Sequence, residues 1–389
     1  MVSFDNTKIA FQSKSNLGLT KAFYLFKLMG NPFLSKIGAI LAHWALNLRL
    51  PVKAMVKNTV FQQFCGGETI DECAVKIEAL AKYNIKTILD YSVEYKASEK
   101  DFDRTMKQTL ASLDFSSKIT NIPFAVFKIT GVGRFELLEK VNSSKPLNES
   151  EQQEYDRVLH RIEKICKKAH QYKIPVMIDA EESWIQDAID GIVEDMMKEY
   201  NKEKAIIYNT LQMYRWDRLD YLKRAHKESQ HEGYFLGMKL VRGAYMEKEN
   251  ERAQKMGYTT PIQPNKKSSD RDYDLALEYA CENNSGIAIC AGTHNEDSSK
   301  YLLQLMKLYK IEKNDPKVYF AQLLGMSDHI SFNLADAGYN TVKYVPYGPV
   351  KEVLPYLIRR AEENTSIAGQ TSRELNLIMK ERRRRRRNR

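Results

Sequence analysis

The chain has 389 residues, 43% of them hydrophobic and 28% charged, enough to bury a large core and to set aside disorder as the default. Of its formal charge of +10, the last ten residues supply all but +3, through eight basic residues set against Glu381. A basic tail of this kind is more often a solvated or interaction segment than a nucleic-acid clamp, so no nucleic-acid partner is expected; an RNA-binding protein stays as an alternative.

Residues 1–80 read as helices, "TKAFYLFKLMGN" and "PFLSKIGAILAHWALNL", parted at Asn31-Pro32. They predict an N-terminal helical arm over 1–80, and their mixture of Phe, Leu and Lys leaves a membrane-surface role open. The apolar piece "IGAILAHWALNLRLP" is interrupted by His43 and Asn47 and stopped by Pro51, too short to span a bilayer. The first thirty residues are poor in acids but give only a weak targeting signal. Five widely spaced cysteines with no C-x-x-C pair point to structural thiols in a reducing compartment.

From residue 86 onward, eight short apolar runs alternate with long amphipathic stretches. They are "KTILDYSVE" (86–94), "FAVFKITG" (124–131), "PVMIDAE" (175–181), "AIIYNTLQMY" (205–214), "GMKLVRGAYM" (237–246), "GIAICAGTHN" (286–295), "VYFAQLLG" (318–325) and "TVKYVPYG" (341–348). The stretches between them repeat apolar residues every three to four positions, the helical period. Strand, helix, strand, repeated eight times predicts an α/β protein with a parallel sheet, closed as a (β/α)8 barrel over 81–372, followed by a basic C-terminal tail over 373–389. Each run ends near a polar side chain: Asp90, Lys128, Asp179 with Glu181, Gln212, Arg242 with Tyr245, Thr293 with His294, Gln322 and Tyr344. Strands leave into water through polar residues in any case, but so many aligned ends match the carboxyl-end face where barrel enzymes place their chemistry.

Such strand ends could hold three kinds of site. A metal-dependent barrel hydrolase would use His294 with Asp179 and Glu181, but no His-x-His is present, and it stands as an alternative. A dinucleotide fingerprint begins at Gly131-Val132-Gly133 and fails at Glu136. A flavin needs no such fingerprint. Gln212 can meet its ring edge, Lys239 and Arg242 its negative charge, Gly243-Ala244 its close approach, and Thr293, His294 and Asn295 add polar contacts. Near the end, "YLIRRAEEN" sets Tyr356, Arg359, Arg360 and Glu363 on one helix face and Val350, Val353, Leu354, Leu357 and Ala361 on another. Paired guanidiniums suit a carboxylate, and they also occur on ordinary solvated faces.

"MKLVRGAYMEKE", "GTHNED", "YFAQLLGMSDHISF" and "KYVPYGPVKEVLPYLIRRAEEN", in that order, resemble the proline dehydrogenase family over about residues 85–372. "FDNTKIAF" and "FCGGET" resemble its monofunctional members, and no aldehyde dehydrogenase module follows. The resemblance implies a distorted (β/α)8 TIM barrel with its last helix over the active-site mouth. It implies FAD-dependent oxidation of L-proline to Δ1-pyrroline-5-carboxylate, the first step of proline catabolism to glutamate. Hydride would pass from proline C5 to flavin N5, and electrons onward to a membrane quinone. By the same resemblance Asp179, Lys239, Lys128 and Tyr245 belong to the catalytic set. Lys128, Tyr344, Tyr356, Arg359, Arg360 and Glu363 bind substrate. Ala180, Gln212, Lys239, Arg242, Gly243, Ala244, Thr293 and His294 contact FAD, and no metal is implied. Lys239 departs from the arginine of much of the bacterial branch and offers a point charge in place of a fork. The expected location is a bacterial cytoplasm with peripheral contact at the inner membrane, with a mitochondrion as the alternative.

Overall fold

The computed structural model describes residues 2–29, 57–92, 98–366 and 370–387. The expected helix over 32–48 lies outside them. Eight strands close in sequence order into a barrel: β1 (Ile85–Tyr91), β2 (Phe124–Lys128), β3 (Val176–Asp179), β4 (Ile207–Gln212), β5 (Leu236–Val241), β6 (Ile287–Gly292), β7 (Val318–Leu323) and β8 (Thr341–Tyr347). Each lies within one of the eight apolar runs or within one residue of it, and all but β8 stop two to five residues before the run does. Those leftover residues, such as Arg242 to Met246 after β5, form the turns at the carboxyl ends. β2, "FAVFK", is almost wholly buried, as expected of a parallel strand covered on both faces.

The chain forms two compact units, Tyr95–Ala321, and Met1–Glu94 with Gln322–Arg389. In the first, helices at Glu99–Ser116 (α1), Phe135–Asn142 (α2), Glu149–Tyr172 (α3), Ser183–Tyr200 (α4), Arg218–Glu232 (α5), Met246–Met256 (α6), Lys266–Glu282 (α7) and Glu296–Leu308 (α8) alternate with the strands. The longest, α3, shows why it starts where it does. Asn148 accepts from the Glu151 N–H while the Glu151 carboxylate accepts from the Asn148 N–H, a reciprocal cap. Its Val158, Ile162, Ile165, Cys166 and Ala169 form the buried stripe.

The register identifies the barrel interior in this unit. Lys128 pairs with Asp179, Met177 with Tyr208, Thr210 with Lys239, Lys239 with Cys290, and Cys290 with Tyr319. Neighbours in register share a face. Phe124 meets Tyr208 at 5.5 Å and Tyr319 at 4.8 Å, contacts that skip intervening strands and are open only to the inner face. The alternate residues Lys128, Asp179, Gln212 and Lys239 therefore lie on that inner face, toward the carboxyl ends.

The other unit holds β1 paired along its length with β8, and helices at Thr7–Ala10 (α9), Asn16–Met29 (α10), Ile70–Ala81 (α11), Asp328–Asp336 (α12), Val350–Ser366 (α13) and Gln370–Arg387 (α14). The Val350, Val353 and Leu357 face of α13 packs on Phe61, Phe64, Cys65 and Met326. Met326 follows the end of β7, and the Gly66 N–H donates to the Pro346 carbonyl at the end of β8. This helix thus sits at the carboxyl ends of β7 and β8. The basic run falls on the last turns of α14, whose Leu377 and Ile378 pack with Ala10 of α9, with Phe11 just after it, and with Leu19, Ala22 and Phe26 of α10.

Candidate active site

Lys239 of β5 and Asp179 of β3 form an ion pair across the barrel interior, with both side chains largely removed from water. A lysine there needs a counter-charge, because an isolated buried ammonium is strongly disfavoured. Lys128, next to Asp179 in register, donates to the Tyr245 hydroxyl at 3.3 Å. The Gln212 amide donates to the Glu181 carbonyl at 2.6 Å and accepts from the Ala244 N–H at 3.3 Å. Four of the expected residues thus share one polar interior, with Tyr245 and Ala244 tied to it from the turn after β5.

Glu181, weighed at first only as a metal ligand, is a stronger feature than the sequence suggested. It is 4% exposed, and its carboxyl accepts from the Thr130 N–H at 3.1 Å and from the Thr130 hydroxyl. Burial pushes this carboxyl up to about 7, against the pull of Lys128 and the Thr130 hydrogen bonds. Its own N–H donates to Gln186, which donates to Asp190, which accepts from Arg218 at 2.6 Å. The local signal was the pair Asp179 and Glu181 two residues apart at a strand end. Ala180 between them is buried. Among the described residues no cluster of three or more His, Cys, Asp or Glu side chains has the makings of a metal site.

Arg242 and Thr293 were expected beside Lys239, and the structure puts them on the outer side of the strand ends. Arg242 donates to Asp270 at 2.6 Å, Thr293 at 2.7 Å and Ser298 at 2.8 Å, and stacks 4.4 Å from the Tyr273 ring centroid. Alternation along β5 explains this, since Lys239 and Arg242 are three residues apart and face oppositely. His294 is half-buried beside Thr293. Gly243 has φ +130°, and a Cβ there would lie 2.5 Å from the Tyr214 ring. It and Ala244 are exposed, which leaves their peptide groups open to close approach.

In the other unit, Tyr344 lies within β8 three residues before its end, not at the strand terminus as its place in the run suggested. Lys343 turns to Asp328 of α12 at 3.0 Å, so Tyr344 faces the opposite side of the strand. Gln322 likewise turns toward α12 and accepts from the Ser331 hydroxyl. On α13 the Arg360 guanidinium stacks 5.0 Å from the Tyr356 ring centroid. Tyr356, placed on the polar face by spacing alone, is buried in the apolar cluster with Phe61 and Phe64. Arg360 is 7% exposed, which rules out a solvated face for it; Arg359 is half-buried. Glu363 follows on the same helix, and its side chain lies outside the described residues.

The family profile described as Proline dehydrogenase matches residues 73–373. The chain belongs to the proline dehydrogenase family. It is accordingly an oxidoreductase of the proline dehydrogenase class. The mitochondrial Proline dehydrogenase 1 of Dictyostelium discoideum is 34% identical over 430 aligned residues, covering 99% of this chain and 75% of that protein. The carbapenem antibiotics biosynthesis protein CarD of Pectobacterium carotovorum is 33% identical over 82% of each chain. Among solved structures, proline utilization A of Bdellovibrio bacteriovorus, inactivated by N-propargylglycine, superposes with a TM-score of 0.74 at 20% identity. That match covers 92% of this chain and 38% of the solved one, and it supports the barrel fold.

Proposed function

We propose that the chain oxidises L-proline to Δ1-pyrroline-5-carboxylate with FAD as cofactor and a membrane quinone as electron acceptor. The observation that carries this reading is the Lys239–Asp179 pair inside the barrel, joined by Lys128 and Gln212. This interior is cation-rich and fits a flavin: a buried ammonium suits a ring system that gains negative charge, and the open Gly243-Ala244 backbone admits close approach. Ala180, Gln212, Lys239, Gly243, Ala244 and His294 would hold it from the barrel side, and Arg242 and Thr293, which face the outer side of the strand ends, would meet only its phosphate-bearing arm. A bound flavin supplies a two-electron acceptor.

The residues of the chain supply everything else. Arg359 and Arg360 grip the substrate carboxylate, a contact for which paired forks are well shaped. Lys128 adds charge, Tyr344 and Tyr356 exclude water and bulk, and Glu363 steadies the arginines from the next turn of α13. Asp179 keeps the Lys239 ammonium in place, and Tyr245 does the same for Lys128. Loss of hydride from a ring carbon requires an unprotonated amine, and no side chain is assigned as its base. Relatives named as mitochondrial favour the mitochondrial alternative for location, and reduction of a membrane quinone calls for peripheral contact with that membrane.

The test is optical. Purified with added FAD, the protein should be yellow, and its flavin absorbance should bleach when L-proline is added without oxygen. A protein that takes up no FAD, or whose flavin ignores L-proline, overturns the reading.

A further inference from the structure

The arginine run at the end of α14 borders a cavity of about 190 Å³, lined by Asn16, Leu19, Thr20, Arg382, Arg385 and Arg386. One water needs only about 10–15 Å³ of such space, so the site, which is open on one side, has room for a phosphoryl group. Its walls are not alike. Arg385 is fixed by the protein, donating to the Phe11 and Lys14 carbonyls, to the Asn16 side chain and to Glu381. Glu381 is itself fully buried and also holds Arg384. Its charge is therefore spent on two arginines that anchor the helix.

Arg382 and Arg386 are different. Arg382 is held by stacking, its guanidinium 4.6 Å from the Phe23 ring centroid, and neither it nor Arg386 has a hydrogen bond or ion pair among the described residues. Stacking orients a guanidinium while leaving its donor edge available. Both line the cavity where α10 begins, and a helix start adds positive potential of its own. Beside it, the outer stripe of α10 exposes Leu17 (67%), Tyr24 (62%) and Leu28 (52%), at positions that share one helix face with Lys21. Apolar and basic groups set together on one exposed helix face match a lipid interface.

We propose that this cavity binds the phosphate headgroup of an anionic lipid, with Arg382 and Arg386 as its ligating pair and Arg385 as the fixed wall. The site is formed entirely by the terminal segments and owes nothing to the chemistry of the barrel.

The test is flotation of the full chain with vesicles of phosphatidylcholine alone and with added phosphatidylglycerol. The chain should float with the anionic vesicles and lose that binding as salt is raised. Replacing the cavity pair, Arg382→Gln with Arg386→Gln, should weaken binding by about tenfold or more. The control pair, Arg383→Gln with Arg387→Gln, removes the same charge from the same helix outside the cavity and should have a much smaller effect. Equal loss in both pairs would reduce the site to general basic attraction and overturn it. So would unchanged binding in the cavity pair. Binding of inorganic phosphate or of a short single-stranded RNA, without binding of anionic vesicles, would overturn the lipid assignment. Thermal unfolding of each variant checks that the helix remains docked.

Discussion

At the scale of single residues, the turn after β5 offers the sharpest test of backbone against side chain. Gly243 combines φ +130° with no room for a Cβ beside the Tyr214 ring, so Gly243→Ala adds strain and a clash together. It should destabilise the protein by about 2–4 kcal/mol, read as a lower Tm. Arg359 and Arg360 test the proposed substrate role. Replacing either with Met should raise the KM for proline by about 2–5 kcal/mol of lost binding, with the flavin spectrum unchanged. If KM stays put in both variants, the arginines do not bind the carboxylate. The spacing of "YLIRRAEEN" put Tyr356 and Arg360 together on a polar face, but Tyr356 joins the apolar cluster and both are buried, because burial depends on what packs against the helix.

Among the elements, the C-terminal helix is the one the sequence misjudged most. A run of six arginines reads as solvent-facing, yet α14 carries Leu377 at 2% exposure and a fully buried Glu381. Leu377 and Ile378 meet partners from the first thirty residues, a pairing that no local period can reveal. Leu377→Ala should cost about 2–5 kcal/mol and bring early proteolysis within α14. The same helix supplies Glu374, whose carboxyl accepts from the Ser327 N–H at 2.8 Å. Ser327 has φ +51°, an uncommon conformation for a side chain other than glycine, and the buried carboxyl steadies it. The start of α12 is thereby tied to the far end of the chain.

For the molecule as a whole, buried acids set the pH response. Burial raises the carboxyls of Glu181 and Glu374 to about 7, while in the unfolded chain they ionise near 4.5. Between those values the folded state holds more protons than the unfolded one, so stability falls as pH rises from about 4.5 and levels off above about 7. Each shift is worth on the order of 3 kcal/mol over that window. Replacing both with Gln should flatten the dependence of unfolding free energy on pH between 5 and 7. Asp328 works in the opposite sense. Burial would raise it, but Lys343 and Lys14 outweigh that and hold it near 2. Its contribution is present above about pH 4 and is lost as pH falls through about 2.

The alternating periods of the chain were enough, by themselves, to determine eight strands, the helices between them and a parallel closed sheet. Each of these rests on which face of a short element is apolar, and that is written in neighbouring residues. Side-chain chemistry at the strand ends also pointed to Asp179, Lys239, Gln212 and Lys128. The pairing of Asp179 with Lys239, the ties of Arg242 to Asp270 and Ser298, the raised carboxyl of Glu181 and the docking of the arginine helix were decided by tertiary structure alone. All four depend on desolvation and on partners far apart in sequence. A local period can say which way a residue faces, but the groups that will surround it are set only when the barrel closes.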